Sequence, residues 1–366
     1  MSTMDARSGK SSNDRTPVPL DTLLLRDWTP TSQVRTTVTA VERPAVPCID
    51  IHNHLGRWLS DDGGWIVPDV DALLALLDAH DVETVVNLDG RWGRELTENL
   101  ERYDLAHSGR FVTFCQFDWS ALQEDDAAAR LARQLKDAVD RGARGVKVWK
   151  DLGLRWRAAS GELVLPDDPV VVELLGAAGE AGLPVLIHTA DPVAFFEPLD
   201  SNNERIDELG ERPDWWFGGP EHPPFHRLIA ALENLVSRTP GTTYVGAHVG
   251  CYAEDLGWVD RMLSTYPNFH VDTGGRIGEL GRVPRSFRRL VAAHPDRVLF
   301  GTDSYPPDAT AYELAFRFFE TDDEAFGYAP GCDIPPQGRW DVAAANLPPS
   351  VLPAFYADNA RRILGI

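Results

Sequence analysis

Lysine is almost missing from this chain: Lys10, Lys136, Lys147 and Lys150 are the only ones among 366 residues, and arginine supplies the other positive charges. Cysteine is sparse too. Cys48, Cys115, Cys251 and Cys332 lie far apart and form no C-x-x-C pair, which speaks against a disulfide scaffold or a zinc ribbon and fits a reducing, cytoplasmic setting. No apolar run reaches the roughly 20 residues of a membrane span. Residues 1–15 lack the apolar core of a signal peptide, so neither membrane insertion nor processing is expected. Positive charge is outnumbered: 35 Lys and Arg stand against 56 Asp and Glu, a formal net charge of -21 that repels phosphate backbones and disfavours nucleic acid as a partner. No glycine-rich G-x-G-x-x-G turn follows the first strand candidate, which removes the main support for an open dinucleotide-binding sheet.

What remains is globular, with 43% hydrophobic and 25% charged residues. Residues 1–46 are rich in Ser, Thr, Pro and Asp around a single apolar patch at Leu23, Leu24 and Leu25, and read as an arm packed on the domain with a frayed start. From residue 47 to 366, short apolar runs alternate with amphipathic stretches. The runs at residues 47–52, 84–88, 111–117, 145–149, 184–188, 243–248, 269–272 and 298–301 predict eight parallel strands. Helical patterns lie between them at 69–80, 127–141, 168–181, 225–237, 254–266 and 284–294, several opening on Asp or Pro. This alternation predicts an α/β fold, a closed (β/α)8 TIM barrel. The longest stretch without periodicity, residues 189–224, carries Phe195, Phe196, Trp215, Trp216 and Phe217 and is expected to wall the active site.

Polar residues end several of the apolar runs. His52 and His54 close the first, two apart and so on one face of a strand, a pairing that suits a divalent ion but that surface or capping histidines also produce. His188 closes the fifth, His248 the sixth and Asp303 follows the eighth. Strand ends of a (β/α)8 barrel converge on one rim, the place where such barrels carry catalysis.

The ordered runs DIHNHLG (50–56), PVLIHTA (184–190), GAHVG (246–250) and LFGTD (299–303) resemble the amidohydrolase superfamily, in its amidohydrolase-related branch with the aminocarboxymuconate semialdehyde decarboxylase-like enzymes. The resemblance implies that His52, His54, His188 and Asp303 bind a divalent metal, zinc first, with manganese or another divalent ion as the alternative. It implies that His248 holds a second metal in a binuclear site, or assists the reaction in a mononuclear one by polarising a carbonyl or stabilising an oxyanion. Asp303 then takes a proton from water. Binuclear relatives carry a carboxylated lysine on strand four, which makes Lys147 a candidate bridge.

In a chain that prefers arginine, a lysine at 147 fits a need for a neutral amine. Lys150 competes for that role, and an ion pair or a pocket-lining position are the other readings of Lys147. Two lysines three apart in an extended segment should face opposite sides, so at most one enters the barrel from the strand itself. Trp119 and Trp149, at strand ends, either line a substrate pocket or pack loops. Arg276 either binds a substrate carboxylate or pairs with Glu279. The reading is a metal-dependent hydrolase of a small amide, ester or lactone, with decarboxylation of an unsaturated or aromatic acid as the rival reaction and a purely structural metal as the rival class. A homodimer is compatible with it.

Overall fold

Eight short strands, β1 (Cys48–Asn53), β2 (Val82–Asn87), β3 (Phe111–Thr113), β4 (Val146–Val148), β5 (Val185–Ile187), β6 (Tyr244–Gly246), β7 (Phe269–Asp272) and β8 (Val298–Leu299), run parallel in the computed structural model, which describes residues 19–28 and 30–366. Ladders join β1 to β3 and β4 to β8 in sequence order. Two seams close the ring. Cys115 bridges to Val146 between the two sheets, and the first and last strands meet where Ile51 N donates to Phe300 O at 3.1 Å and Asp303 N to His52 O at 2.9 Å. A barrel closed in this way leaves no exposed sheet edge.

One long helix follows each strand: α1 (Val70–Ala79), α2 (Gly93–Leu100), α3 (Ala127–Arg141), α4 (Pro169–Glu180), α5 (Phe225–Arg238), α6 (Leu256–Thr265), α7 (Pro284–Ala293) and α8 (Ala309–Glu320). Aspartates start four of them. Asp69, Asp168, Asp255 and Asp308 accept backbone N–H groups of the first turn of α1, α4, α6 and α8, satisfying donors that the helix leaves unpaired. Strand alternation sorts the core. Val86, Leu88, Val112, Phe114, Leu186, Val245 and Leu299 fall in one cluster. Their chain neighbours Val85, Phe111, Val185, Tyr244 and Val298 fall in another, with helix residues such as Leu73, Leu131 and Leu232.

Five of the strands, β3, β4, β5, β6 and β8, are shorter than their apolar runs. The third pairs regularly only from Phe111 to Thr113, and Cys115 adds an isolated bridge, because the chain turns out of the ladder where polar rim residues begin. Helices α2 and α8 were not among the patterns singled out by sequence. Residues 189–224 are not featureless either: they contain short helices at Val193–Phe196, Ile206–Glu211 and Pro213–Trp215.

Contacts divide the chain into Met1–Arg35 and Thr36–Ile366. Residues 1–18 of the expected arm lie outside the described residues, and the described part of the first unit holds one 3-10 turn, Leu25–Asp27. Residues 36–46 belong to the second unit. There Thr39 N and Oγ1 each donate to the Asp323 carboxylate at 2.8 Å, and Ala45 N donates to Glu320 at 3.0 Å. No described helix is long and apolar enough to cross a membrane.

Candidate active site

The rim at the C-terminal ends of the strands gathers His52 from β1 and His54 just past it, Lys147 from β4, His188 just past β5, His248 past β6, Asp272 at the end of β7 and Asp303 past β8. Backbone strain aims two of them. His248 (φ 57), Val249 (φ 60), Gly250 (φ 71) and Cys251 (φ 59) form a left-handed turn, and Asp303 (φ 58) is left-handed as well. For a β-branched residue such as Val249 this conformation costs on the order of 1–3 kcal/mol, and it persists only where the surroundings over-determine it. The Asp272 carboxylate helps do so: its Oδ1 accepts from His248 N at 3.1 Å and from Gly274 N at 2.9 Å.

Hydrogen bonds fix the imidazole tautomers. His248 Nδ1 lies 2.8 Å from Gly274 O, and a carbonyl only accepts, so Nδ1 donates and Nε2 keeps a lone pair. His52 Nδ1 faces Asp272 Oδ2 at 3.0 Å, and His54 Nδ1 faces Asp89 Oδ1 at 2.9 Å. Burial would raise the Asp272 carboxyl, but His52 and the hydrogen bonds outweigh it and hold it below the usual range. His52 itself is depressed by burial and by the nearby Lys147. It is therefore neutral, with its proton on Nδ1. His248 is driven far down by burial and then by Arg276. His54 moves the other way: burial lowers it, but the carboxylates of Asp89 and Asp303 prevail and raise it. For Asp303, burial is outweighed by His52 and His54, and its pKa falls.

Ring nitrogens thus converge on one point. His52 Nε2 and His54 Nε2 lie 3.5 and 3.4 Å from Asp303 Oδ1. Ligand atoms of His52, His248 and Asp303 all fall within 4.8 Å of one another. Imidazole nitrogens and a carboxylate oxygen facing each other repel unless positive charge sits among them, so this donor set fits a divalent cation of the zinc or manganese kind.

His188 stands beside this group, its ring 4.4 Å from that of His248. Its Nε2 is 3.3 Å from Asp191 Oδ1 but buried without a hydrogen bond, and burial, against the pull of Asp191, lowers its pKa to about 4. Lys147 is buried, with Nζ 3.3 Å from His52 Nε2 and 4.9 Å from the Trp149 ring centre, and burial depresses its pKa. No described carboxylate forms an ion pair with it, so the ion-pair reading is not realised. Lys150 also reaches the rim: β4 has ended at Val148, the two-residue period no longer governs, and Lys150 pairs with Asp191.

A cavity of about 740 Å³ opens above these residues. Trp58 and Trp149 line it, with ring centres 4.4 Å apart, and residues 189–224 contribute Phe195, Arg205 and Trp215. Trp119 is not in its wall: the turn after β3, capped by Asp118 accepting from Ser120 N at 3.1 Å, packs it on Phe117 in the core. Four of the five cations that line the cavity have acidic partners. Lys150 pairs with Asp191, Arg155 with Asp151 at 3.4 Å, Arg205 with Glu208 at 2.6 Å, and Arg212 with Asp214 at 3.3 Å. Arg276 forms no ion pair among the described residues, though its charge acts on the Glu208 carboxylate nearby. Its guanidinium, nine-tenths buried, donates only to Gly275 O at 3.0 Å, because Glu279, the rival partner expected from sequence, is taken by Arg205.

Sequence reasoning missed Asp272, Asp89 and Asp191, the carboxylates beside His52, His54 and His188. The signal was available for two: Asp272 ends β7 and Asp89 lies two residues past β2, both on the same rim.

A family profile described as amidohydrolase matches residues 49–366. No curated protein matches the chain. Among solved structures it is similar to 2,6-dihydroxybenzoate decarboxylase from Rhizobium, at 18% identity over 87% of this chain and 99% of that one, with a TM-score of 0.55. It is similar to a dihydroxybenzoic acid decarboxylase from Polaromonas with bound manganese and the inhibitor 2-nitroresorcinol, at 14% identity over 87% and 97%, TM-score 0.54. It is similar to an amidohydrolase from Burkholderia multivorans with bound zinc, at 15% identity over 88% and 100%, TM-score 0.51. At such identities the shared property is the barrel. The profile, running from β1 to the last residue, shows that the chain belongs to the amidohydrolase family.

Proposed function

We propose that the protein is a metal-dependent hydrolase of a small amide, ester or lactone that carries a carboxylate close to the bond it breaks. The observation that supports this reading is Arg276, a buried cation that forms no ion pair among the described residues, in the wall of a cavity floored by converging metal-type donors. His52, His54, His248 and Asp303 would hold the cation, with zinc the first candidate and manganese the second, and His188 would complete the set by turning from Asp191. A cation there supplies Lewis-acid polarisation of a substrate oxygen and acidifies water from about 16 to roughly 7. Asp303 takes up the proton that water gives, and Arg276 clamps the substrate carboxylate. His248, with Nε2 unprotonated, acts as ligand or proton acceptor and not as the oxyanion donor expected from sequence. The walls formed by Trp58 and Trp149 exclude water and favour a flat substrate.

A second reading rests on the same two features. A cavity lined by Trp58, Trp149 and Arg276 also suits an aromatic acid that loses carbon dioxide, and nothing in the donor set disfavours that reaction. The test is product analysis with zinc- or manganese-loaded protein offered lactone carboxylates, N-acyl amino acids and hydroxybenzoates. Oxygen from labelled water in the product marks hydrolysis; released carbon dioxide marks decarboxylation. Arg276→Leu should raise KM at least tenfold, since a charge-assisted hydrogen bond is worth about 1.5–3 kcal/mol. Equal turnover of uncharged analogues, with Arg276→Leu unaffected, would overturn the reading.

A further inference from the structure

Behind the loop after β7 lies a second cavity, of about 300 Å³, bounded by the first turns past β7, by α8 and by the segment around Tyr328 and Gln337. Glu208, Gly275 and Gln337 line both cavities, so the two spaces share a wall. Most side chains facing the second one are apolar, among them Ile277, Ala311, Leu314, Ala315, Phe319 and the ring of Tyr328. Its polar side chains are already satisfied within the protein. Tyr328 donates its hydroxyl to Gly338 O at 2.8 Å, Thr273 to Gly301 O at 3.1 Å, and Thr302 to Asp50 Oδ2 at 2.6 Å. Glu208 is bound by Arg205, and Gln337 Nε2 donates to Gly275 O at 3.0 Å. A polar ligand would find open acceptors only at the shared wall, on Glu208 and Gln337, whereas an apolar group deeper in would lose only its water.

The shared wall has one movable member. Gly275 has no side chain and Glu208 is tied to Arg205, but Gln337 is held by a single hydrogen bond to a backbone carbonyl. Gly278 makes room for it: a Cβ there would come within 2.5 Å of Gln337 Oε1. We infer that the site has two chambers, and that the substrate carries an apolar substituent, a short alkyl chain or a second ring, that passes Gln337 into the chamber lined by Ile277, Leu314 and Phe319 while its carboxylate stays at Arg276. The inference rests on the carboxylate reading of the main cavity. A volume of about 300 Å³ exceeds the roughly 150 Å³ that accommodates benzene in an apolar protein cavity, so a ring or several methylenes fit.

The test uses calorimetric binding of benzoate and of 4-methyl-, 4-ethyl- and 4-propylbenzoate to zinc-loaded protein. Affinity should rise about fourfold per added methylene, the gain for moving such a group out of water. Ala311→Phe, at a half-buried position of α8, should leave benzoate binding unchanged and abolish the gain with chain length. Gln337→Ala should keep or enlarge the gain. No gain in the unsubstituted protein, or a gain that survives Ala311→Phe, overturns the chamber while leaving the carboxylate site intact, provided benzoate binds and Arg276→Leu weakens it. Absence of any benzoate binding overturns the carboxylate reading itself, and this inference with it.

Discussion

Asp272→Asn tests whether the donor cluster depends on a fixed tautomer. Asp272 Oδ1 is held by two backbone donors, His248 N at 3.1 Å and Gly274 N at 2.9 Å, so an asparagine must keep its carbonyl oxygen there. Its amide nitrogen then replaces Oδ2, 3.0 Å from His52 Nδ1. An amide N–H donates, so His52 must accept at Nδ1 and carry its proton on Nε2, the atom that faces Asp303 at 3.5 Å. A protonated Nε2 cannot ligate. Replacing the carboxylate behind a metal-bound histidine typically weakens metal affinity about 10–100-fold, or roughly 1.4–2.8 kcal/mol. Competition with a zinc-selective fluorescent chelator reads this directly, and circular dichroism checks that the barrel persists. Zinc affinity within twofold of the unsubstituted protein, in a folded variant, would refute the tautomer argument and with it the place of His52 in the cluster.

Asp303→Asn should retain the fold and most bound metal yet lower kcat about 10²–10⁴-fold, the range for removing a positioned proton acceptor; full activity would take Asp303 out of the reaction. Away from the site, His270 is buried, its Nε2 has no hydrogen-bond partner, and burial followed by Arg297 and Arg362 lowers its pKa to about 4. The unfolded chain takes up that proton below about 6.5 while the fold refuses it, so stability is fully present above 6.5 and is lost as pH falls towards 4. Between pH 7 and pH 5, denaturant titration should show the unsubstituted protein losing about 2 kcal/mol more than His270→Gln, and equal losses would contradict a neutral His270. Gly145→Ala adds a methyl within 2.4–2.6 Å of the Phe114 ring, and should lower stability by about 1–3 kcal/mol by overpacking. An unchanged melting temperature would mean that the Phe114 ring has room to shift.

The barrel was readable because its strands are buried on both faces. Runs such as VLI in β5 and YVG in β6 stay free of charged and polar alternation, and each strand is followed by a helix, seven of them opening on Asp or Pro. Where that contrast fades the reading fades with it. Helix α2, GRELTENL, buries only Leu96, Asn99 and Leu100, and its boundary with the preceding loop leaves little trace in composition. The ends of β3, β4, β5, β6 and β8 were overestimated for a related reason: an apolar run continues to the rim, whereas the ladder stops as soon as the chain must turn outward.

The site divides along a different line. Residues whose chemistry is rare were visible one by one, since a histidine or a lone lysine at a strand end stands out against apolar neighbours. Residues whose chemistry is common were not: in a chain with 56 acidic residues, Asp89, Asp191 and Asp272 carry no individual mark. Their roles exist only across the barrel, 35 positions from His54 for Asp89 and 220 from His52 for Asp272. Arg276 shows the same dependence. Sequence left it two partners, a substrate carboxylate or Glu279, and the choice turns on a third residue, Arg205, brought to Glu279 by the long segment after β5. An arginine without an ion pair in so acidic a protein is therefore informative only once the acids around it have been traced to their cations, here Glu208 and Glu279 to the one guanidinium of Arg205, and that assignment is a property of the folded rim.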